Sequence, residues 1–70
     1  MRFRYIEEPT DLQVSFFNTD DPRERLSVGD VIEAEKEVHG WHTRIVTHDG
    51  FEFNDVSFEE VEERAAAREA

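Results

Sequence analysis

Three histidines, His39, His42 and His48, and a row of three glutamates, Glu33, Glu35 and Glu37, are the residues of this chain best suited to chemistry. Imidazole is a common zinc ligand, but a structural zinc takes four donors. His42 and His48 stand six residues apart in a segment that reads as a strand. At ~3.3 Å per residue they lie about 20 Å apart and cannot share an ion. His39 and His42 flank a turn and can approach each other, but no third donor is spaced with them. Neither a metal nor another cofactor is expected. The glutamates alternate along the chain, which puts them on one face of a strand. A carboxylate pair does acid–base work only in a partly desolvated cleft that splits its pKa values. An open strand face gives no such cleft, so a solvated face is the expectation. There is no cysteine, the three serines carry no paired His/Asp pattern, and three glycines are too few for a phosphate-cradling loop. The chain is not expected to be an enzyme.

Binding is the remaining role, and two features bear on it. Trp41 is the largest side chain available to a core and is expected there; its alternative role is an interface anchor, since tryptophan is enriched at hot spots. Phe16 and Phe17, placed on a strand, would point to opposite faces, so that one enters the core. An exposed Phe17 beside Trp41 would form a partner-binding patch. Charge is the louder signal. Eighteen acids against eight bases give −10, and the excess grows from −2 over residues 1–25 to −3 over 26–50 and −5 over 51–70. Such a field repels a phosphate backbone, so direct nucleic-acid binding is not expected. It attracts a basic protein surface. Seven arginines against the single Lys36 also suit a high-GC genome or a salt-adapted proteome.

The elements that must hold these residues read as mostly β, with ten Val and Ile against two Leu. Arg2–Ile6 alternates charged and apolar and predicts a first strand. Glu8–Asp11 is a turn. Leu12–Phe16 alternates again and predicts a second strand with Leu12, Val14 and Phe16 on one face. Asn18–Pro22 is a loop, continued by 23–25 and closed by the Gly29-Asp30 turn. Val31–Glu37 is a third strand, His39-Gly40 a hairpin turn, and Trp41–His48 a fourth strand. Asp49-Gly50 suits a type I′ turn, with Phe51–Phe53 returning. Ser57-Phe58-Glu59-Glu60 matches a capping box and predicts a C-terminal helix over about residues 57–68 that frays after about 67. One small domain of 70 residues follows: a mainly β fold, a five-stranded barrel or curved antiparallel sheet with that helix behind it.

Leu26-Ser27-Val28-Gly29-Asp30-Val31-Ile32-Glu33, followed by Gly40-Trp41 and Arg44, resembles the Src-homology-3-like (SH3-like) barrel over roughly half the chain. The resemblance implies a small barrel in which Val56–Val61 falls at the closing segment. It does not extend to polyproline binding: His42 stands where a second Trp is common, and Asn54–Phe58 lacks the Pro and Tyr of that groove.

The expected function is therefore a non-enzymatic protein-interaction module, a small acidic regulator, inhibitor or accessory subunit of a larger protein. Its candidate contact residues are Trp41, Phe17, Glu33, Glu35, Glu37, Glu59, Glu60, Glu62 and Glu63. One alternative is a nucleic-acid mimic of the phage anti-defence kind, whose acids, Glu52 included, would align along one face. Another is a salt-adapted protein with no strong site. With no long apolar run, and Glu7, Glu8 and Asp11 where a signal peptide needs apolar residues, a cytoplasmic monomer or weak dimer away from membranes is expected.

Overall fold

The charged–aromatic alternation at the start of the chain does form a strand, β1 (Arg2–Tyr5), with Phe3 and Tyr5 buried and both arginines outside. The computed structural model describes residues 1–61. The further strands are β2 (Val31–His39), β3 (His42–Thr47), β4 (Glu52–Asn54) and β5 (Phe58–Val61). All pair antiparallel in the order β4-β3-β2-β1-β5, an open sheet in which β4 and β5 are the two ends. The long strand β2 serves both halves: its residues 31–33 pair with β1, and 34–39 pair with β3. Phe3, Tyr5, Ala34, Ile45, Phe53 and Phe58 make the core, with Leu26, Ile32 and Phe51 packed at its margin. Phe58 brings the two ends of the sheet together, its ring 5.3 Å from that of Tyr5 and 5.7 Å from that of Phe53.

Both hairpins lie where the sequence puts them. His39 pairs with His42, so Gly40 and Trp41 are the two central residues of a tight loop. Gly40 takes φ +59°, the positive first position that a II′ turn demands. The second hairpin differs in detail from the expected two-residue I′ turn. Thr47 and Phe51 close it through the Phe51 carbonyl, leaving a three-residue loop of His48, Asp49 and Gly50. Only Gly50 has positive φ there, at +94°.

Two of the expected elements fail, each for a physical reason. Leu12–Phe16 is not a strand but the middle of a helix, α1 (Asp11–Phe17). Thr10 caps it, its hydroxyl accepting from the Gln13 amide at 3.1 Å while the Gln13 side chain accepts from the Thr10 amide at 2.9 Å. This reciprocal box satisfies two otherwise orphaned donors. Asn18 ends the helix in the left-handed region at φ 56°, one of the few non-glycine residues that tolerate it. The second failure is the helix expected from Ser57. Asp55–Ser57 is a single 3-10 turn capped by Asn54, whose side chain accepts from the Val56 amide at 2.9 Å. Ser57 itself is buried, and Phe58–Val61 continues as strand. Burying a Phe side chain contributes about 1.5–3 kcal/mol, against ~1 kcal/mol for a cap. Strand geometry is what sends Phe58 into the core. The remainder of the expected helix, residues 62–68, lies outside the described residues.

Candidate protein-interaction surface

Trp41 is not a core residue. It sits at the tip of the β2–β3 loop with 71% of its surface exposed. A residue in a two-residue hairpin loop cannot reach a core that lies beneath the strands. Its ring instead meets three others: Phe16 at 5.5 Å, Phe17 at 5.8 Å and His42 at 4.6 Å. Phe16 and Phe17 themselves meet edge to face at 5.3 Å, and His39 stacks on His42 at 5.7 Å. Centroids at 4.5–7 Å are the distances at which aromatic quadrupoles attract. Five rings thus form one continuous surface at one end of the sheet. Phe16 is 66% exposed and Leu12, four residues earlier on the same helix face, is 77% exposed.

The two phenylalanines do not divide between core and solvent as strand residues would. On α1 they are neighbours on one side, and Phe17 is half-buried. A seven-residue helix has little stability of its own, so tertiary polar contacts hold it. At its start Arg23 Nη2 donates to Asp11 Oδ1 at 2.7 Å. The same guanidinium grips Asp21 through Nε at 2.9 Å and Nη2 at 2.7 Å. Those bonds, chiefly the side-chain ones, hold the Asp21 carboxyl below the usual carboxylate range. At the helix end Arg44 Nη2 donates to the Phe17 carbonyl at 3.4 Å, while Nη1 pairs with Glu52 at 2.6 Å. Glu52 is tied in turn to Asp20, whose carboxylate accepts its amide at 2.9 Å. The connection between β1 and β2 is therefore fixed at both ends of α1, and its two phenylalanines are set against Trp41.

The acids are arranged differently from a single face. Pairing puts Glu33, Glu35 and Glu37 on the outer side of β2, beside outer-facing Arg2 and Arg4 of β1. Glu59 lies on that side too and is bound to Arg4 at 2.8 Å. Glu60 points to the core side and meets Lys36 at 3.5 Å. Glu33 is within 3.5 Å of the Met1 amino group, and a carboxylate oxygen of Glu37 lies 3.0 Å from His39 Nε2. Cations thus interrupt the acidic row, and Glu59 and Glu60 face opposite ways. Glu62 and Glu63 lie outside the described residues.

Sequence reasoning paired Trp41 with Phe17 but did not foresee Leu12, Phe16, His39 and Arg44 as parts of the same surface. The signal for the first two was the spacing of four between Leu12 and Phe16 behind a Thr10–Gln13 cap. Away from these rings, a concavity of about 360 Å³ opens at the core margin, floored by Leu26, Ile32, Phe51 and Phe53. Arg25 stands at its rim with its guanidinium 3.8 Å above the Phe51 ring. Among the described residues no group of three or more His, Asp or Glu is placed to hold a metal ion. None of their helices is long and apolar enough to cross a membrane. Set against protein-family models, curated proteins and solved structures, the chain has no significant match.

Proposed function

We propose that this chain is a non-enzymatic interaction module that docks on a larger protein through Phe16, Phe17 and Trp41, as a regulator, inhibitor or accessory subunit. One observation carries the reading: the only tryptophan is 71% exposed yet packed against two phenylalanines and an imidazole. Rings already ordered in the free protein lose little entropy on binding, which is how a small patch gains affinity. Tryptophan in a shallow aromatic setting is also the typical hot-spot anchor. The net charge of −10 selects a partner whose contact region is apolar at its centre and basic at its rim. The nucleic-acid-mimic reading has less support, because cations interrupt the acidic row.

The SH3-like reading of the fold is part of the same proposal. It is supported by the strand order, by β2 shared between two pairings, and by the short turn that leads into β5. The test is capture of a partner from host lysate by the wild type, Trp41→Ala and Phe16→Ala. Both variants are expected to keep the wild-type unfolding free energy to within about 1 kcal/mol, as exposed positions do, and to lose the captured protein. Equal capture by folded Trp41→Ala would overturn the reading.

A further inference from the structure

We propose that the edge of β2 along Lys36–Val38, which no described strand covers, accepts an extended basic segment of a partner protein as an added strand. This site is separate from the aromatic surface and does not rest on it. β2 runs for nine residues, but β1 pairs only with its residues 31–33. The last bond across that seam is from the Ala34 amide to the Met1 carbonyl, at 2.8 Å. In an antiparallel ladder the N–H and C=O of one residue point the same way, and successive residues alternate. Glu35, Glu37 and His39 therefore direct their backbone groups to β3. Lys36 and Val38 direct theirs to the side Ala34 faces, where no described strand continues.

The side chains leave this edge accessible and indicate what fits it. All five residues from Glu35 to His39 are exposed, and Val38 keeps 71% of its surface open. Natural sheets blunt such edges with proline, bulges or unpaired lysines. Here no proline intervenes, and Lys36 is turned to Glu60 at 3.5 Å. A strand laid alongside would set alternate side chains against Glu35 and Glu37 on the outer face, where opposite charge is favoured in cross-strand pairs. Its other side chains would lie beside Val38, where β-branched residues fit. A second copy of this chain is the wrong occupant: each copy carries −10, and the same two glutamates would face each other. Affinity would come from main-chain bonds and selectivity from the alternate side chains, as in other strand additions.

Amide hydrogen exchange on the whole chain, with a capped peptide of alternating lysine and valine as probe, tests this. Alone, the protein should show slow exchange at Glu35 and Glu37 and fast exchange at Lys36 and Val38. With the peptide, exchange at Lys36 and Val38 should slow at least about tenfold, as local opening becomes costlier. The glutamate–valine version should not bind. Val38→Pro removes one outward donor and should abolish binding. Glu35→Gln with Glu37→Gln should weaken it at least about tenfold with an unchanged unfolding midpoint. Binding without protection at Lys36 and Val38 would overturn the proposal. So would binding lost in Trp41→Ala, equal binding of the acidic peptide, or concentration-dependent protection without any peptide, which would make a second copy the occupant.

Discussion

Tyr5→Phe should stabilise this protein, although Tyr5 is completely buried at the centre of the core. The ring has a clear role: it packs on Phe58 at 5.3 Å and lies among Phe3, Ala34 and Ile45. The hydroxyl does not, since its oxygen is buried with no hydrogen-bond partner among the described residues. An unsatisfied buried polar group costs about 1–3 kcal/mol. Removing the oxygen leaves the ring in place and relieves much of that cost, so a gain of about 1 kcal/mol in urea denaturation is expected. In a domain of this size that corresponds to a melting point higher by about 4–8 °C. Tyr5→Ala, by contrast, removes the ring and should cost about 3–5 kcal/mol. Alkali adds a second readout. Burial, then the charges of Glu8 and Asp21, raise the Tyr5 phenol above its ordinary value. The neutral phenol is favoured in the fold, so this contribution is intact below about pH 10 and is lost as pH rises through the folded value. The advantage of Tyr5→Phe should widen there. A variant less stable than wild type at neutral pH would mean that the hydroxyl is bonded and would refute the reasoning.

Other consequences follow from the contacts that set α1 and β5. Thr10→Ala breaks the capping box and should cost about 1 kcal/mol; because α1 carries Phe16 and Phe17, Trp41 emission should change as well. Asn54→Ala should destabilise by about 1–2 kcal/mol in denaturant, while a helix beginning at Ser57 would leave this substitution nearly silent. The Asp21 carboxyl is held low by its Arg23 hydrogen bonds, so its contribution is present above the ordinary carboxylate pKa of about 3.9 and disappears as pH falls through the folded value. An acid titration of stability in Asp21→Asn should lack that component.

Much of the sheet is legible in the sequence because turns and alternation agree there. Gly40 and Gly50 stand where positive φ is needed, and the segments either side of Gly40 pair in the register their spacing implies. The misreadings come from segments whose local signals compete. Leu12, Val14 and Phe16 satisfy a period of two, yet Leu12 and Phe16 also sit one helical turn apart, and the Thr10–Gln13 cap decides the contest. Ser57–Glu60 carries the opposite conflict, a capping pattern on a segment whose Phe58 is needed between Tyr5 and Phe53. Burial outweighs the cap. Size alone argues for Trp41 in the core, although the His39-Gly40 turn beside it puts it next to a loop tip. The pairing of Phe17 with Trp41 is legible as a candidate patch, but the full ring cluster is not, because it joins residues from the β1–β2 connection to the β2–β3 loop, through contacts such as Arg44 to the Phe17 carbonyl. No local pattern encodes those.

Trp41 is the only tryptophan, so its fluorescence reports on the aromatic surface alone. In the free protein its emission should be red-shifted and readily quenched by acrylamide, as 71% exposure requires. Once the partner is bound, emission should shift to the blue and quenching should fall as the indole is desolvated. A free protein whose tryptophan is already blue-shifted and shielded, or a complex in which the emission does not move, would contradict the assignment of Phe16, Phe17 and Trp41 as the docking surface.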